Sequence, residues 1–133
     1  MGIGGIGMSG IAELLMNLKF NISGSDISEN ENVKRLKELG VDVRIGHNIS
    51  NVTNDIDVLV YSSAVSLENP EIMRAKQKGI PVIRRAEMLG ELISVKETSI
   101  AIGGTHGKTT TSSMVGAILS YAKMDPTLVV GGL

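Results

Sequence analysis

Lys108 stands in the run Gly104-Thr105-His106-Gly107-Lys108-Thr109-Thr110, where glycines, an ammonium group and hydroxyls fall within one short stretch. Those residue types at that spacing suit the holding of a nucleoside triphosphate. Glycines let successive N–H groups converge on one anion and a following helix adds its positive end; the lysine reaches the β- and γ-phosphates. A hydroxyl from Thr109 or Thr110 would then sit on a magnesium ion. Ser99 to Ile102 reads as the strand that delivers the loop, and Lys108 to Lys123 as the helix that leaves it. The common P-loop places a glycine five residues ahead of its Gly-Lys pair. Ile102 occupies that position here, so this is a shorter form of the loop. His106 lies inside it, where its main-chain N–H matters more than its ring.

A second glycine loop, Gly2-Ile3-Gly4-Gly5-Ile6-Gly7, fits the G-x-G-x-x-G pattern, and the next residues set Met8, Ile11, Leu14, Leu15 and Leu18 on one helix face. Asp26 closes the following apolar run, near the distance at which a dinucleotide fold places its ribose-binding acid. Such a loop can also serve helix-to-strand packing without a ligand, and Asp26 can equally be a strand-end turn former. His47, in a polar loop before Asn48, is either a solvated histidine or a ligand contact. Ser62-Ser63-Ala64 directly follows the apolar run Asp57 to Tyr61, at the carboxyl end where open α/β sheets gather their ligand contacts.

The elements that must position these residues alternate between strand-like runs and helical patterns, the order of βαβ units in a Rossmann-like parallel sheet. Ser28 to Glu31 reads as a capping box; Val33, Leu36 and Leu39 point inward and Gly40 ends that helix. Val41 to Ile45 and Ile80 to Ile83 read as strands, Asn69-Pro70 starts another helix, and Arg84 to Ile93 forms one more. We read Arg84 and Arg85 as structural rather than as phosphate contacts. The polar connector Ser94 to Thr98 divides residues 1–97 from 98–133, the latter opening a P-loop ATPase-like α/β unit. Thr127 to Val130 is expected as a strand of that second unit. A glycine loop is delivered by a strand, and only Met1 precedes Gly2, so the first unit is expected to lack the middle strand of its sheet. A slot should remain there. One helix and about two strands build no autonomous core for the second unit.

Composition narrows the function classes. The 133 residues carry 13 Lys and Arg against 14 Asp and Glu, for a net charge of -1, which disfavours nucleic-acid and membrane-surface roles. Phe20, Tyr61 and Tyr121 are the only aromatics and give no stacking platform. There is no cysteine, no apolar run of membrane-spanning length and no signal-peptide pattern, and the expected location is the cytoplasm.

Taken together, the motifs resemble the Mur ligases of bacterial cell-wall synthesis. The matching stretches are Gly2 to Glu13, Ser23 to Asp26, Gly46-His47, Ser62 to Ala64, Asn69 to Glu71, Pro81 to Leu89, Gly104 to Thr111, Asp125 to Thr127 and Gly131-Gly132. They run in family order, and the short lysine loop is the family's own form. The resemblance implies a ligase that uses ATP and magnesium to activate the lactyl carboxylate of UDP-N-acetylmuramate for attack by the amine of L-alanine. By the same resemblance, Gly104, Thr105, His106, Gly107, Lys108, Thr109 and Thr110 hold ATP, with Lys108 the catalytic cation and Thr109 or Thr110 on magnesium. Gly2, Gly4, Gly5, Gly7, Met8, Ser9, Ser62, Ser63 and Ala64 cradle the UDP diphosphate, Asp26 takes a ribose or uracil contact, and His47 serves the uridine end. Remaining magnesium ligands and the amine site are expected beyond Leu133, and this stretch alone is expected to be inactive. Three other readings stay open: a recycling ligase that adds a ready-made tripeptide, a non-catalytic UDP-sugar sensor, and a nicotinamide-dependent oxidoreductase. The last leaves the Lys108 loop without a purpose.

Overall fold

The computed structural model describes residues 1–130; Gly131 and Gly132, quoted above, lie outside the described residues. The order of elements is α1 (Ile6–Asn17), β1 (Ser23–Asp26), α2 (Glu31–Glu38), β2 (Asp42–Ile45), a 3₁₀ turn (Ile49–Asn51), β3 (Leu59–Tyr61), α3 (Pro70–Gln77), β4 (Val82–Arg84), α4 (Arg85–Ser94) and α5 (Lys108–Tyr121). This is the expected mixed α/β alternation, and each strand pair is parallel. β1 pairs with β2 in the register Ser23 to Asp42 through Asp26 to Ile45. β3 pairs with β4 from Leu59 to Val82 through Tyr61 to Arg84.

Each parallel pair forms its own two-stranded sheet. Between them lies a slot of about 830 Å³, lined by Ile3, Ser23, Gly24, Leu59, Val60 and Met88 among others. Met1 bridges its end: its amino nitrogen donates to Val60 O at 2.7 Å, and its carbonyl accepts from Ser62 N at 3.2 Å. On the other side Gly2 N and Ile3 N both donate to Ser25 O, at 2.8 and 3.2 Å. These hydrogen bonds are the pattern of a strand end held between two neighbours.

Helices cover the sheets because their apolar positions recur at helical spacing. Val33 and Leu36 of α2 are fully buried with Ile3, Ala12, Val41 and Val43. Ile72 and Ala75 of α3 close the other half against Met1, Val52, Leu59 and Tyr61. Ile11 and Leu15 of α1 meet Leu92 of α4 and so pack the two halves together. Leu18, expected on the same inward face of α1, is 39% exposed because it caps the helix where the chain turns away.

Local signals place most boundaries, with instructive differences. Asn69 caps α3 by accepting from Glu71 N, and Pro70 occupies the first turn, as its missing N–H permits. The cap of α2 is Asn30, whose side chain accepts from Val33 N; Ser28 instead donates its backbone N–H to Asp26 Oδ1 at 3.3 Å. The expected Ser28 box is therefore two residues early, because Asn30 is itself a good cap and also donates to Gly4 O. Leu39, expected inward, is 51% exposed. Neither Ser99–Ile102 nor Thr127–Val130 forms a strand, since no neighbouring strand offers them hydrogen bonds. Within α5 only Gly116 is buried, and Met114, Ile118 and Tyr121 stay exposed, as expected of a helix without a core to cover. Among the described residues no helix is long and apolar enough to cross a membrane.

Candidate functional site

The N-terminal glycine loop is shaped by close approach. A Cβ on Gly4 would lie 2.7 Å from Val33 Cγ2 and 2.8 Å from the Asn30 amide, so only glycine fits. Gly4 N donates to the buried Asp26 Oδ2 at 2.8 Å, while Gly4 O accepts from Asn30 and Asn32 Nδ2 at 3.1 and 2.9 Å. Gly5 caps α1 without a side chain, and the first intrahelical bond runs from Ser9 N to Gly5 O. The backbone N–H groups of Ile6, Gly7 and Met8 thus stand at the open first turn, the positive end of the helix.

The predicted residues divide by what they can offer such a turn. Gly2, Gly5 and Gly7 supply backbone. Gly2 has φ 67°, and a Cβ there would come within 3.0 Å of Ser62 Cβ, so Ser62 adjoins the loop. Ser63 and Ala64 are exposed just beyond, with Ala64 N donating to Ser62 Oγ at 3.3 Å. Met8 and Ser9 are buried; Ser9 Oγ donates to Ile6 O at 3.0 Å, so both side chains belong to the interior. Met8 can present its N–H, whereas Ser9 N is already taken by Gly5 O. The Asp26 carboxylate is 7% exposed as a residue and is occupied by Gly4 N and Ser28 N, which makes it an anchor of the loop backbone.

Arg85, read from its sequence position as structural, stands at this turn. Its guanidinium packs directly on Gly7, where any Cβ would collide with it. Among the described residues Arg85 has no ion-pair partner. A cation beside a positive helix end leaves an attractive place for an anion. The run Pro81 to Leu89 carried a signal for this residue, an arginine that opens a helix directly after a strand.

His47 lies behind the loop. Its Nδ1 is 3.3 Å from Ser25 Oγ and 3.5 Å from Glu71 Oε1. Glu71, only 2% exposed, also accepts from Ser25 Oγ and Asn51 Nδ2, each at 2.6 Å, and from Asn48 N at 3.2 Å. Glu71 entered the sequence reading only as part of Asn69-Pro70-Glu71. Its burial is the reason its role is invisible there.

The lysine loop is a second, separate turn. Gly104 and Gly107 have φ 152° and 75°, and Gly107 in the left-handed region opens α5. Thr111 N is the first donor to bond back, to Gly107 O, which leaves Lys108, Thr109 and Thr110 N–H at the open end. Lys108 Nζ folds over the loop and donates to Gly104 O at 2.6 Å. His106 Nδ1 lies 3.2 Å from Thr105 Oγ1, so its ring turns to the loop's own hydroxyl. The donor set fits phosphate oxygens. No group of three or more His, Cys, Asp or Glu that could hold a metal occurs among the described residues, and the groups of this loop that suit a magnesium ion are the Thr109 and Thr110 hydroxyls.

A parallel α/β fold whose glycine loops feed the open ends of α1 and α5 has the layout of the phosphate-loop class of proteins. The Mur ligase family, catalytic domain, matches residues 1–97, and the chain belongs to that family. It is 56% identical over 133 residues to UDP-N-acetylmuramate–L-alanine ligase of Rhodospirillum rubrum, covering 100% of this chain and 27% of that protein. The crystal structure of UDP-N-acetylmuramate-alanine ligase from Thermotoga maritima superposes with a TM-score of 0.85 at 34% identity, over 92% of this chain and 28% of that one. A murein peptide ligase from Psychrobacter arcticus gives 0.83 at 30% identity, over 92% and 26%. The chain therefore spans about a quarter of the length of the relatives it matches.

Proposed function

We propose that these residues belong to a cytoplasmic, ATP-dependent ligase that joins L-alanine to the lactyl carboxylate of UDP-N-acetylmuramate in peptidoglycan precursor synthesis. In this reading residues 1–97 form the UDP-sugar unit and 98–133 begin the ATP unit. The observation that carries it is the pair of open helix ends, one with a lysine for a triphosphate and one flanked by Arg85 and Ser62 for a diphosphate. The choice of amine is supported by the 56% identity to a ligase named for L-alanine.

A carboxylate is a poor electrophile, and transfer of the ATP γ-phosphoryl group to its oxygen supplies a leaving group. The amine nitrogen then bonds to the acyl carbon, the carbon–oxygen bond to phosphate breaks with phosphate taking the electron pair, and the nitrogen gives up a proton to solvent. The chain's share is positioning and charge neutralisation. Lys108 and the N–H groups of Gly104 to Thr110 hold ATP oxygens; Thr109 or Thr110 would hold the magnesium ion, which neutralises phosphate charge when bound. The α1 turn, with Gly2, Gly4, Gly5 and Gly7 shaping it, holds the UDP diphosphate beside Ser62, Ser63 and Ala64. Asp26 keeps that turn in place, with His47 toward the uridine.

The test is calorimetric titration of the chain with UDP-N-acetylmuramate, ATP-magnesium and NADH. Binding of the UDP-sugar with silence from NADH is expected. Binding of NADH with silence from the UDP-sugar would replace this reading with the oxidoreductase one.

A further inference from the structure

The buried polar cluster behind the α1 loop sets the protonation of one ring nitrogen. Ser25 Oγ has a single proton, and the 2.6 Å contact to Glu71 Oε2 takes it. Toward His47, 3.3 Å away, Ser25 Oγ can then only accept. Glu71 Oε1, 3.5 Å from the same nitrogen, already accepts from Asn51 Nδ2 and Asn48 N and is likewise an acceptor. His47 Nδ1 therefore faces acceptors alone and must carry a proton. In the neutral ring Nε2 is left with a lone pair, and it has no partner among the described residues.

Ser25 also connects this ring to the glycine loop. Its carbonyl accepts from Gly2 N and Ile3 N, while its hydroxyl serves the Glu71 and His47 side. Resting on the uridine reading above, we infer that Glu71 is a positioning residue that, with Ser25, locks His47 into the Nδ1–H tautomer, so that Nε2 accepts from the ring N–H of uracil. Uracil carries a hydrogen on N3, whereas cytosine has a lone pair there. The same Nε2 that welcomes one base meets lone pair against lone pair with the other. Specificity then comes from an acceptor facing a donor.

The test is ¹⁵N NMR of the His47 ring in the free chain, where long-range proton correlations separate a protonated nitrogen from a lone-pair nitrogen, followed by titration with UDP and with CDP. Nδ1–H in the free protein, a shift of Nε2 on adding UDP, and CDP weaker by about tenfold are expected. In Glu71→Gln the amide oxygen stays with the Asn51 and Asn48 donors, so the N–H₂ faces Ser25 Oγ, whose own proton then turns to His47 Nδ1; the ring should move toward Nε2–H and UDP binding should weaken by about tenfold, with the fold retained by circular dichroism. A purely structural Glu71 would leave the tautomer unchanged in that variant and so sinks the positioning role. Nε2–H in the wild-type chain overturns the lock outright. Equal binding of UDP and CDP overturns the selection. If Nδ1–H is found and neither nucleotide binds, the uridine reading of the loop fails and takes the selection with it.

Discussion

The guanidinium of Arg85 lies on Gly7, at the open first turn of α1, with no ion-pair partner among the described residues. Two positive features so close together repel unless an anion separates them. The proximity ties α4 to the α1 loop, and under the proposed function it makes them parts of one diphosphate site.

Arg85→Ala should weaken UDP-N-acetylmuramate binding by about tenfold to a hundredfold, the worth of hydrogen bonds to a charged group. Arg85→Lys should recover part of it, since it keeps the charge and loses the fork. Calorimetry across a salt series checks this: the wild-type affinity should fall more steeply with salt than that of the alanine variant. Equal affinities would return Arg85 to a structural role.

Gly4→Ala forces a methyl group against Val33 and the Asn30 cap of α2. Overpacking of this kind costs about 1–3 kcal/mol, and urea denaturation should show that loss. A variant as stable as wild type would mean that the loop relaxes freely.

Asp26→Ala leaves the Gly4 N–H buried without its acceptor. The expected cost is about 1–3 kcal/mol, accompanied by faster hydrogen exchange at Gly4. If stability held while UDP binding vanished, Asp26 would be a ligand contact and not an anchor.

Burial holds the Met1 amino group below its ordinary value of 8.0, partly countered by the negative charges of Glu71 and Asp26. The folded chain therefore binds this proton less readily than the unfolded chain. Stability should rise as pH is raised through the folded-state value toward 8.0, and should be lost again as pH falls below it. Thermal melts of the chain with a free and with an acetylated amino terminus check the sign: acetylation should flatten that rise.

Much of this architecture could be read from residue order alone, because glycine loops, caps and apolar periodicity are local. Asn69-Pro70 and Gly40 marked their helix ends through backbone rules that need no tertiary partner. Ser99–Ile102 failed for the opposite reason: an apolar run becomes a strand only beside another strand. The Ser28 expectation failed because Asn30, a cap that also reaches Gly4, competes for the same helix end. Both glycine loops were legible. Arg85 and Glu71 gain their roles from segments far away in sequence, Gly7 for one and Ser25 and His47 for the other. Such pairings arise only on folding.

Among the described residues, the backbone hydrogen bonds linking the β1–β2 sheet to the β3–β4 sheet all pass through Met1, Gly2 and Ile3. That makes three residues a clasp, and it divides cooperativity. Each half holds its own parallel pair and its own buried cluster, so releasing the clasp should let the halves open as distinct units, with β1–β2 and β3–β4 amides exchanging at two different rates. The same residues that begin the α1 loop thereby share with the packing of Ile11 and Leu15 on Leu92, and with the Ser25–Glu71 hydrogen bond, the work of making the protein unfold once and not in stages.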